Sequence, residues 1–168
     1  MKHPRVIVAA LSLSAAGLVG LVVEEGYTDR AVVPVKGDVP TVGFGSTVRE
    51  DGSKVQMGDT TTPTKALARS LDHIQKDEAG LKRCVTAPLS QVEYDTLVNF
   101  TYQYGVVAAC RSSMVRHINA GQYAQACDGY LLYRFVAGFD CATPGNKRCA
   151  GVWARSQERH QRCMEAQS

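Results

Sequence analysis

The sequence predicts an α+β protein with a small antiparallel β lobe, a mainly helical lobe after it and a hydrophobic helix at the N-terminus. Three patterns support this fold class: an apolar run at residues 6–23, a stretch rich in Val, Thr and Gly at residues 31–57, and apolar residues at helical spacing from residue 63 onwards. Strands grouped before helices, rather than alternating with them, indicate α+β organisation. We therefore expect an appended segment at residues 1–23 and a folded domain at residues 24–168.

The bulk composition is that of a globular protein with a mild basic excess. The chain has 168 residues, of which 45% are hydrophobic and 21% charged, and a formal net charge of +3. Such a charge favours anionic surfaces such as phospholipid or cell-wall polymer. The sequence contains no dense stripe of Lys and Arg, so we expect no binding to nucleic acid. We also expect a monomer.

The cysteine pattern predicts disulfides in an oxidising compartment. The sequence has six cysteines, an even number, and no two of them have the CxxC spacing of a zinc site. The alternative is six reduced thiols in a cytosolic protein. Two cysteines flank a turn at residues 143–146, which predicts a local Cys141–Cys149 pair. Cys84 with Cys163 and Cys110 with Cys127 would complete the set, as a guess among the 15 possible connectivities.

The N-terminus has the form of an export signal. Lys2 and Arg5 precede eighteen uncharged residues, 6–23, of which eight are Ala, Ser or Gly. Such a segment is a weak membrane helix. A cleaved signal peptide, a permanent anchor and a releasable anchor all remain open, and we favour the releasable anchor. Each of them places the body outside the cytoplasm.

The body contains turn signals and helix starts in a readable order. Gly37-Asp38 and Asp51-Gly52 predict turns between short β segments. The Ser90-Gln-Val-Glu93 segment predicts a capping box at the start of a helix that ends near Gly105. Helices are also predicted at residues 63–82, 112–119, 122–135 and 152–164.

Several motifs in this order resemble one family. They are Glu25-Gly26, Thr41–Ser46 (TVGFGS), Leu89–Phe100 (LSQVEYDTLVNF), Ser112–Gly121 (SSMVRHINAG) and Gly151–Arg155 (GVWAR). Together they resemble the phage lysozymes of the T4 endolysin type, glycoside hydrolase family 24, over residues 24–163. The weak N-terminal anchor resembles that of signal-anchor-release endolysins.

The resemblance implies a lysozyme-like fold and a muramidase that lyses the host cell. The reaction would be hydrolysis of the β-1,4 bond between N-acetylmuramic acid and N-acetylglucosamine in peptidoglycan, by inverting attack of a water. Glycoside cleavage needs an acid to protonate the leaving oxygen and a second group to position the water. Glu25 matches the family's acid, Thr41 the threonine that helps to hold the water, and Arg155 an arginine that pairs with the catalytic glutamate.

The second carboxylate departs from the family pattern. The family usually places Asp six residues before the threonine, where this chain has Val35. Asp38 is the nearest carboxylate and could replace it, or could be an ordinary turn residue. Asp29 is a weaker substitute.

Other residues of the resemblance would contact or orient substrate. These are Gly43, Gly45 and Ser46, the last at a position where many relatives carry His, and Tyr104 among aromatic residues at helical spacing. We expect no cofactor and no metal, because no histidine has ligand spacing and no glycine-rich loop has phosphate-binding form.

The expected partners are peptidoglycan and, before release, the host inner membrane through residues 6–23. The protein would be exported to the periplasmic face of that membrane and then act in the periplasm. Two other functions remain open: a lysozyme-like lytic transglycosylase, and a catalytically degenerate protein that only binds the cell wall.

Overall fold

The structure, a computed structural model, describes residues 4–34 and 37–168. The chain divides into two compact units. The first, called here the hairpin unit, comprises residues 15–76. The second, the helical unit, comprises residues 77–168 together with residues 4–14. The predicted α+β class, with a small antiparallel β part and a mainly helical remainder, is confirmed.

The hairpin unit is built on short elements. Helix α1 spans Ala15–Glu25, strand β1 spans Thr28–Val32 and strand β2 spans Thr41–Gly43, the two strands pairing antiparallel. Helix α2, Pro63–Cys84, begins in this unit and continues into the helical unit. Ala31 of β1 and Val42 of β2 form a small buried cluster with Val55. The predicted turns at residues 37–38 and 51–52 lie where the sequence placed them.

The predicted N-terminal hydrophobic helix is not continuous. Residues 8–10 form a 3₁₀ turn, and the α-helix begins only at Ala15. Val6 instead pairs with Leu89 through two backbone hydrogen bonds of 2.9 Å, and Val8 and Leu11 are buried. Over the described ranges, 4–34 and 37–168, no helix has both the length and the apolar character that crossing a bilayer requires.

The helical unit follows the predicted order with two differences. Its elements are α3 (Gln91–Tyr104), α4 (Val106–Arg111), α5 (Ser113–Asn119), α6 (Tyr123–Asp128), strands β3 (Phe135–Val136) and β4 (Phe139–Asp140), and α7 (Ala150–Glu165). The capping box at Ser90 and Glu93 is confirmed. The short helix α4 was not predicted. The helix predicted at 122–135 is wrong in its second half, because a 3₁₀ turn at Gly129–Leu132 leads into the β3–β4 hairpin.

Three disulfides lie in the helical unit. Cys141–Cys149 is confirmed, whereas the other two predicted pairings are wrong. Cys84 at the end of α2 bonds to Cys110 in α4, and Cys127 in α6 bonds to Cys163 in α7. The guess failed because it ignored helix packing: α6 and α7 lie side by side, which brings Cys127 to Cys163.

Candidate active site

Glu25 is the last residue of helix α1, and its side chain is half-buried. The helix ends because Gly26 adopts a positive φ of 69°, a backbone conformation that glycine takes without strain. The Gly26 amide donates to the Val22 carbonyl at 3.2 Å, which completes the last turn. This cap fixes the backbone at Glu25 and turns the chain directly into strand β1.

The strand register brings the second predicted motif to the end of this helix. Thr28 lies opposite Gly43, and Val32 lies opposite Thr41, with an irregularity between the two pairs. Because Thr28 follows Glu25 by only three residues, the helix end and the turn after β2 are neighbours. Thr41 is half-buried at the start of β2.

Glycine at position 45 gives the Glu25 carboxylate its space. Gly45 has a φ of 74°, and a Cβ placed on it would lie 3.1 Å from Glu25 Oε2. Such a separation is closer than ordinary van der Waals contact, so any side chain here would displace the carboxylate. The structure therefore brings together two residues that the sequence predicted, Glu25 and Gly45.

Gly43 is required for a different reason. Its φ is 70°, and a Cβ on it would lie 2.7 Å from the Cβ of Ala66 in helix α2. Strand β2 can approach the helix this closely only because neither residue has a larger side chain. Gly43 thus positions the site by packing, and its predicted role in orienting substrate stays a prediction.

The tip of the turn is held by backbone and aromatic contacts. Val42 and Ser46 exchange two backbone hydrogen bonds of 3.0 and 3.1 Å, and the Ser46 hydroxyl donates to the Val48 carbonyl at 2.8 Å. The rings of Phe44 and Tyr27 are 5.4 Å apart between centroids. Ser46 is therefore part of the turn's own hydrogen bonding. Tyr27 was missed from the sequence, although an aromatic residue two positions after the glutamate is a readable signal.

Both carboxylates considered as the second catalytic group, Asp38 and Asp29, are exposed. Asp38 is exposed, and its Oδ1 accepts a hydrogen bond of 2.8 Å from the amide of Val39, which is the turn role considered as the alternative. Asp29 is an exposed residue of β1. Val35, which occupies the position of the family aspartate, lies outside the described residues. A role for Asp38 in holding water stays a prediction.

A carboxylate that the sequence analysis missed stabilises the loop after β2. Arg49 donates to both oxygens of Asp59, at 2.6 and 2.8 Å. Hydrogen bonds from Arg49 and from the backbone amide of Gln56 hold the pKa of Asp59 at about 2. Asp59 also lines a cavity of about 340 Å³ beside Val42 and Arg69. Its fixed charge suits a structural ion pair rather than proton transfer.

Two predicted residues lie in the helical unit. Arg155 is half-buried in α7, and its Nε is buried with no hydrogen-bond partner among the residues that the structure describes. Tyr104 packs in an aromatic cluster, 4.7 Å from the Phe100 ring and 5.0 Å from the Tyr133 ring. Burial raises the pKa of the Tyr104 hydroxyl, against the opposing effect of Arg159 and Arg155. The substrate roles of Arg155 and Tyr104 stay predictions.

Comparison with known proteins gives one consistent result. The family model described as phage lysozyme matches residues 23–159. The endolysin of Salmonella phage P22 is 32% identical over 124 residues, which are 74% of this chain and 84% of that protein. The SAR-endolysin of Escherichia phage Mu is 35% identical over 60 residues, 36% of this chain and 35% of that protein.

A solved structure agrees with these sequence relatives. The endolysin from Escherichia coli O157:H7 phage FAHEc1 superposes with a TM-score of 0.79 at 25% identity, covering 94% of this chain and 96% of that one. The match of the family model takes in the helix end at Glu25, the glycine turn and most of α7. This chain belongs to the phage lysozyme family.

Proposed function

We propose that this protein is an endolysin that hydrolyses the β-1,4 bond between N-acetylmuramic acid and N-acetylglucosamine, with Glu25 as the general acid. Glu25 would donate its proton to the glycosidic oxygen while a water adds to the sugar carbon and gives up a proton to the proposed second carboxylate, Asp38. The bond then breaks with a new hydroxyl on each side, and exchange with solvent returns a proton to Glu25. The observation that carries the proposal is the position of the Glu25 carboxylate at the end of α1, beside Gly45, where the absent side chain leaves the carboxylate its space.

Thr41 is the proposed partner of the attacking water. It stands at the start of β2, four residues before Gly45, to which the Glu25 carboxylate lies close. A hydroxyl can accept a hydrogen bond from the water while it donates one to another acceptor, so it can hold the water in place. Asp38 is the proposed second carboxylate, although its bond to the Val39 amide leaves only part of its acceptor capacity for water.

Arg155 is the proposed ion-pair partner of Glu25. Its buried Nε lacks a hydrogen-bond partner within the described residues, and an unsatisfied buried donor costs about 1–3 kcal/mol. A carboxylate would satisfy it and would hold the acid in one orientation. Replacing Arg155 with Lys would keep the positive charge but lose the planar guanidinium group. This variant therefore distinguishes an effect of the charge on Glu25 from an effect on the orientation of its carboxylate.

The products of purified peptidoglycan test the reaction class. The oxidised protein is incubated with Gram-negative sacculi, and the soluble fragments are analysed for reducing ends and for 1,6-anhydro-muramic ends. Hydrolysis predicts reducing ends. Anhydro ends would show a lytic transglycosylase, and binding without any soluble product would show a degenerate wall-binding protein.

We further propose that residues 6–23 hold the protein at the periplasmic face of the host inner membrane until release. Similarity to the SAR-endolysin of phage Mu supports this location. The surface of α1 supports it too: Leu21 is 1% exposed, whereas Val19 and Val23 are 60% and 73% exposed. A helix of small and apolar residues that buries so little within its own unit suits a second environment, such as lipid.

A buried ion pair supports the release step. Arg5 donates to both Glu93 oxygens, at 2.7 and 2.9 Å, and its guanidinium lies 3.6 Å from the centre of the Tyr123 ring. Glu93 is only 4% exposed and also accepts from Gln167 at 2.8 Å. While residues 6–23 span the bilayer, Arg5 remains on the cytoplasmic side and cannot reach Glu93. The pair would therefore form only after release and would favour the released state.

Two opposite variants test release. Arg5→Gln removes the pair and is expected to increase the membrane-bound fraction after depolarisation, with Lys2→Gln as the control for the same loss of charge. Replacing Ala15, Ala16, Gly17 and Gly20 with Leu is expected to hold the protein in the membrane and to delay lysis. Unchanged fractionation and lysis timing in the leucine variant would show that the segment is not a releasable anchor.

A further inference from the structure

The β3–β4 region of the helical unit is cross-linked and mostly exposed, with only its two cysteines buried. It is called here the clamped hairpin and comprises residues 134–149. Phe135 and Val136 are adjacent in β3, so their side chains point to opposite faces. Nevertheless both are exposed, Phe135 by 57% and Val136 by 38%. Neither face of strand β3 is therefore fully covered, and the Phe135 side chain is the more exposed of the two.

The clamped hairpin is fixed by contacts of its own. The Cys141–Cys149 disulfide closes its base, and the Cys141 amide donates to the Arg134 carbonyl at 2.7 Å. The Asn146 amide group donates to the Cys141 carbonyl at 3.0 Å and accepts from the Arg148 amide at 2.8 Å. Strands of two residues are marginal on their own, so these contacts hold the shape.

The tip itself is also held in an unusual conformation. Phe135 pairs with Asp140 and Val136 with Phe139, which leaves Ala137 and Gly138 as a two-residue turn. Both have positive φ, 47° at Ala137 and 78° at Gly138. The two-residue turn that matches strand twist requires this geometry, which is costly for alanine. The disulfide, the hydrogen bonds and the turn of the clamped hairpin itself, rather than packing against the core, therefore hold its shape.

The exposed chemistry of the clamped hairpin is aromatic and cationic. Its sixteen residues contain three cations, Arg134, Lys147 and Arg148, and one carboxylate, Asp140. The formal charge of the clamped hairpin is therefore +2, out of +3 for the whole chain. The guanidinium carbons of Arg134 and Arg148 lie 5.4 and 5.5 Å from the ring centres of Phe135 and Phe139. Arg134 is paired with Asp140 at 3.3 Å, which leaves the exposed Lys147 and Arg148 as the excess charge.

We propose that the clamped hairpin is a second peptidoglycan contact, in which Phe135 packs on a sugar face while Lys147 and Arg148 bind carboxylates of the stem peptides. This inference rests on the proposed function for its choice of polymer. Peptidoglycan presents apolar sugar faces and carboxylates side by side, which matches the aromatic and cationic groups here. A rigid element loses little conformational entropy on binding, which explains why a segment outside the core is clamped.

Binding without cleavage tests the proposal. All proteins carry Glu25→Gln, so that binding to purified Gram-negative sacculi is measured by cosedimentation with the polymer intact. The test variant adds Phe135→Ser, Lys147→Gln and Arg148→Gln. The matched control adds Val107→Ser, Lys82→Gln and Arg83→Gln, which remove an equally exposed apolar side chain and the same two charges elsewhere in the helical unit.

The test variant is expected to bind sacculi at least about fivefold more weakly than the control, which corresponds to the loss of about 1 kcal/mol. Equal binding by the two would overturn the proposal. Phe135→Trp alone is expected to keep the affinity, because an aromatic face remains; a loss as large as that of the test variant would also contradict the proposal. Equal melting temperatures of the variants show that each one folds.

A second polymer distinguishes the wall from a membrane. Binding to vesicles of phosphatidylethanolamine and phosphatidylglycerol is expected to be the same for test variant and control. If the test variant loses vesicle binding and keeps sacculus binding, the clamped hairpin is a lipid contact and the proposal is wrong. Because cosedimentation compares binding of the test variant and the control, which share the same Glu25→Gln change, a failure of the proposed reaction leaves this result interpretable.

Discussion

The two units of this protein are stabilised by different means. The hairpin unit has a small buried cluster of Ala31, Val42 and Val55, has no cysteine and depends on glycine turns. The helical unit buries large side chains such as Tyr94 and Phe100 completely and contains all three disulfides. The proposed acid and Gly45 lie in the hairpin unit, which contains none of the three disulfides.

This difference indicates which unit contributes mainly to stability and which contains backbone conformations that are costly to form. A catalytic carboxylate over a tight turn needs backbone conformations that only glycine adopts cheaply, and such sites contribute little to stability. A well-packed, cross-linked unit elsewhere in the chain can offset that cost. Changes in the helical unit should therefore affect stability first, whereas changes at the glycine turn should affect activity first.

Removing a long disulfide loop gives the largest expected loss of stability. In the chain-entropy model, Cys127→Ala with Cys163→Ala, which opens a separation of 36 residues, costs about 4 kcal/mol in the free energy of unfolding. Opening the Cys141–Cys149 loop, a separation of 8, costs about 2.5 kcal/mol. Denaturant unfolding measures both. At about room temperature, the hydrolysis rate of the folded fraction is expected to be the same for the Cys127→Ala, Cys163→Ala variant and the parent. A lower rate would contradict the claim that the helical unit contributes mainly to stability.

Gly43→Ala tests packing in the hairpin unit. The added Cβ would meet Ala66 at 2.7 Å in a strained backbone conformation, so the expected cost is about 3 kcal/mol. Gly52→Ala is the matched control, because its φ is 83° but nothing lies within 4 Å of the added Cβ. The control should lose only about 1 kcal/mol. Equal losses of stability in the two variants would show that β2 and α2 are not packed so closely.

Gly45→Ala should affect activity more than stability. Its Cβ would displace the Glu25 carboxylate, and displacing an acid by a fraction of an ångström costs about tenfold or more in rate. The stability cost is that of the backbone strain alone, about 1 kcal/mol. The rate on sacculi and the melting temperature are measured on the same sample. An unchanged rate would show that Glu25 does not act from this position.

Acid should weaken the helical unit through Glu93. Burial pushes the pKa of Glu93 upwards, but hydrogen bonds from Arg5, the Ser90 amide and Gln167 together bring it below its ordinary value of 4.5. The unfolded chain therefore takes up the proton first as the pH falls, and the contribution to stability, present above about pH 4.5, is lost as the pH falls through the folded pKa. The melting temperature of Glu93→Gln should depend less on pH below this value than that of the parent. Identical pH curves would contradict the role of the Arg5–Glu93 pair.

The smallest expected effect is a gain of stability at the clamped hairpin. Ala137 has a φ of 47° in a two-residue turn that Asn-Gly sequences favour. Ala137→Asn is therefore expected to raise the free energy of unfolding by about 0.5 kcal/mol. Denaturant unfolding of the oxidised protein measures the change, and a loss of stability would show that the turn is not strained.

Local signals predicted much of this molecule. The capping box at Ser90, the turn at Gly37-Asp38 and the helix from Pro63 depend on residues close in sequence, and all are present. The Glu25 and Gly45 pair followed from family motifs. The disulfide partners of Cys84 and Cys127 could not be derived, because they depend on which helices pack together.

The N-terminal segment shows the same limit. Its apolar composition predicted one hydrophobic helix, whereas residues 4–14 pack on the helical unit through partners far along the chain. The Leu13 amide donates to Glu78 at 2.8 Å, and the Ser14 amide donates to Asp95 at 3.0 Å. Composition shows that these residues suit a lipid environment. It cannot show that polar groups elsewhere in the folded protein also bind the backbone of this segment.

The most direct test compares two adjacent glutamates. Glu24 and Glu25 both end helix α1 and both are half-buried, but the carboxylate of Glu25 is the one placed over Gly45. The initial rate of sacculus hydrolysis is measured for Glu25→Gln and Glu24→Gln at equal melting temperature. We predict that Glu25→Gln lowers the rate about a thousandfold while Glu24→Gln changes it less than about threefold. A Glu25→Gln protein that retains a rate similar to the Glu24→Gln protein would contradict the assignment of Glu25 as the acid.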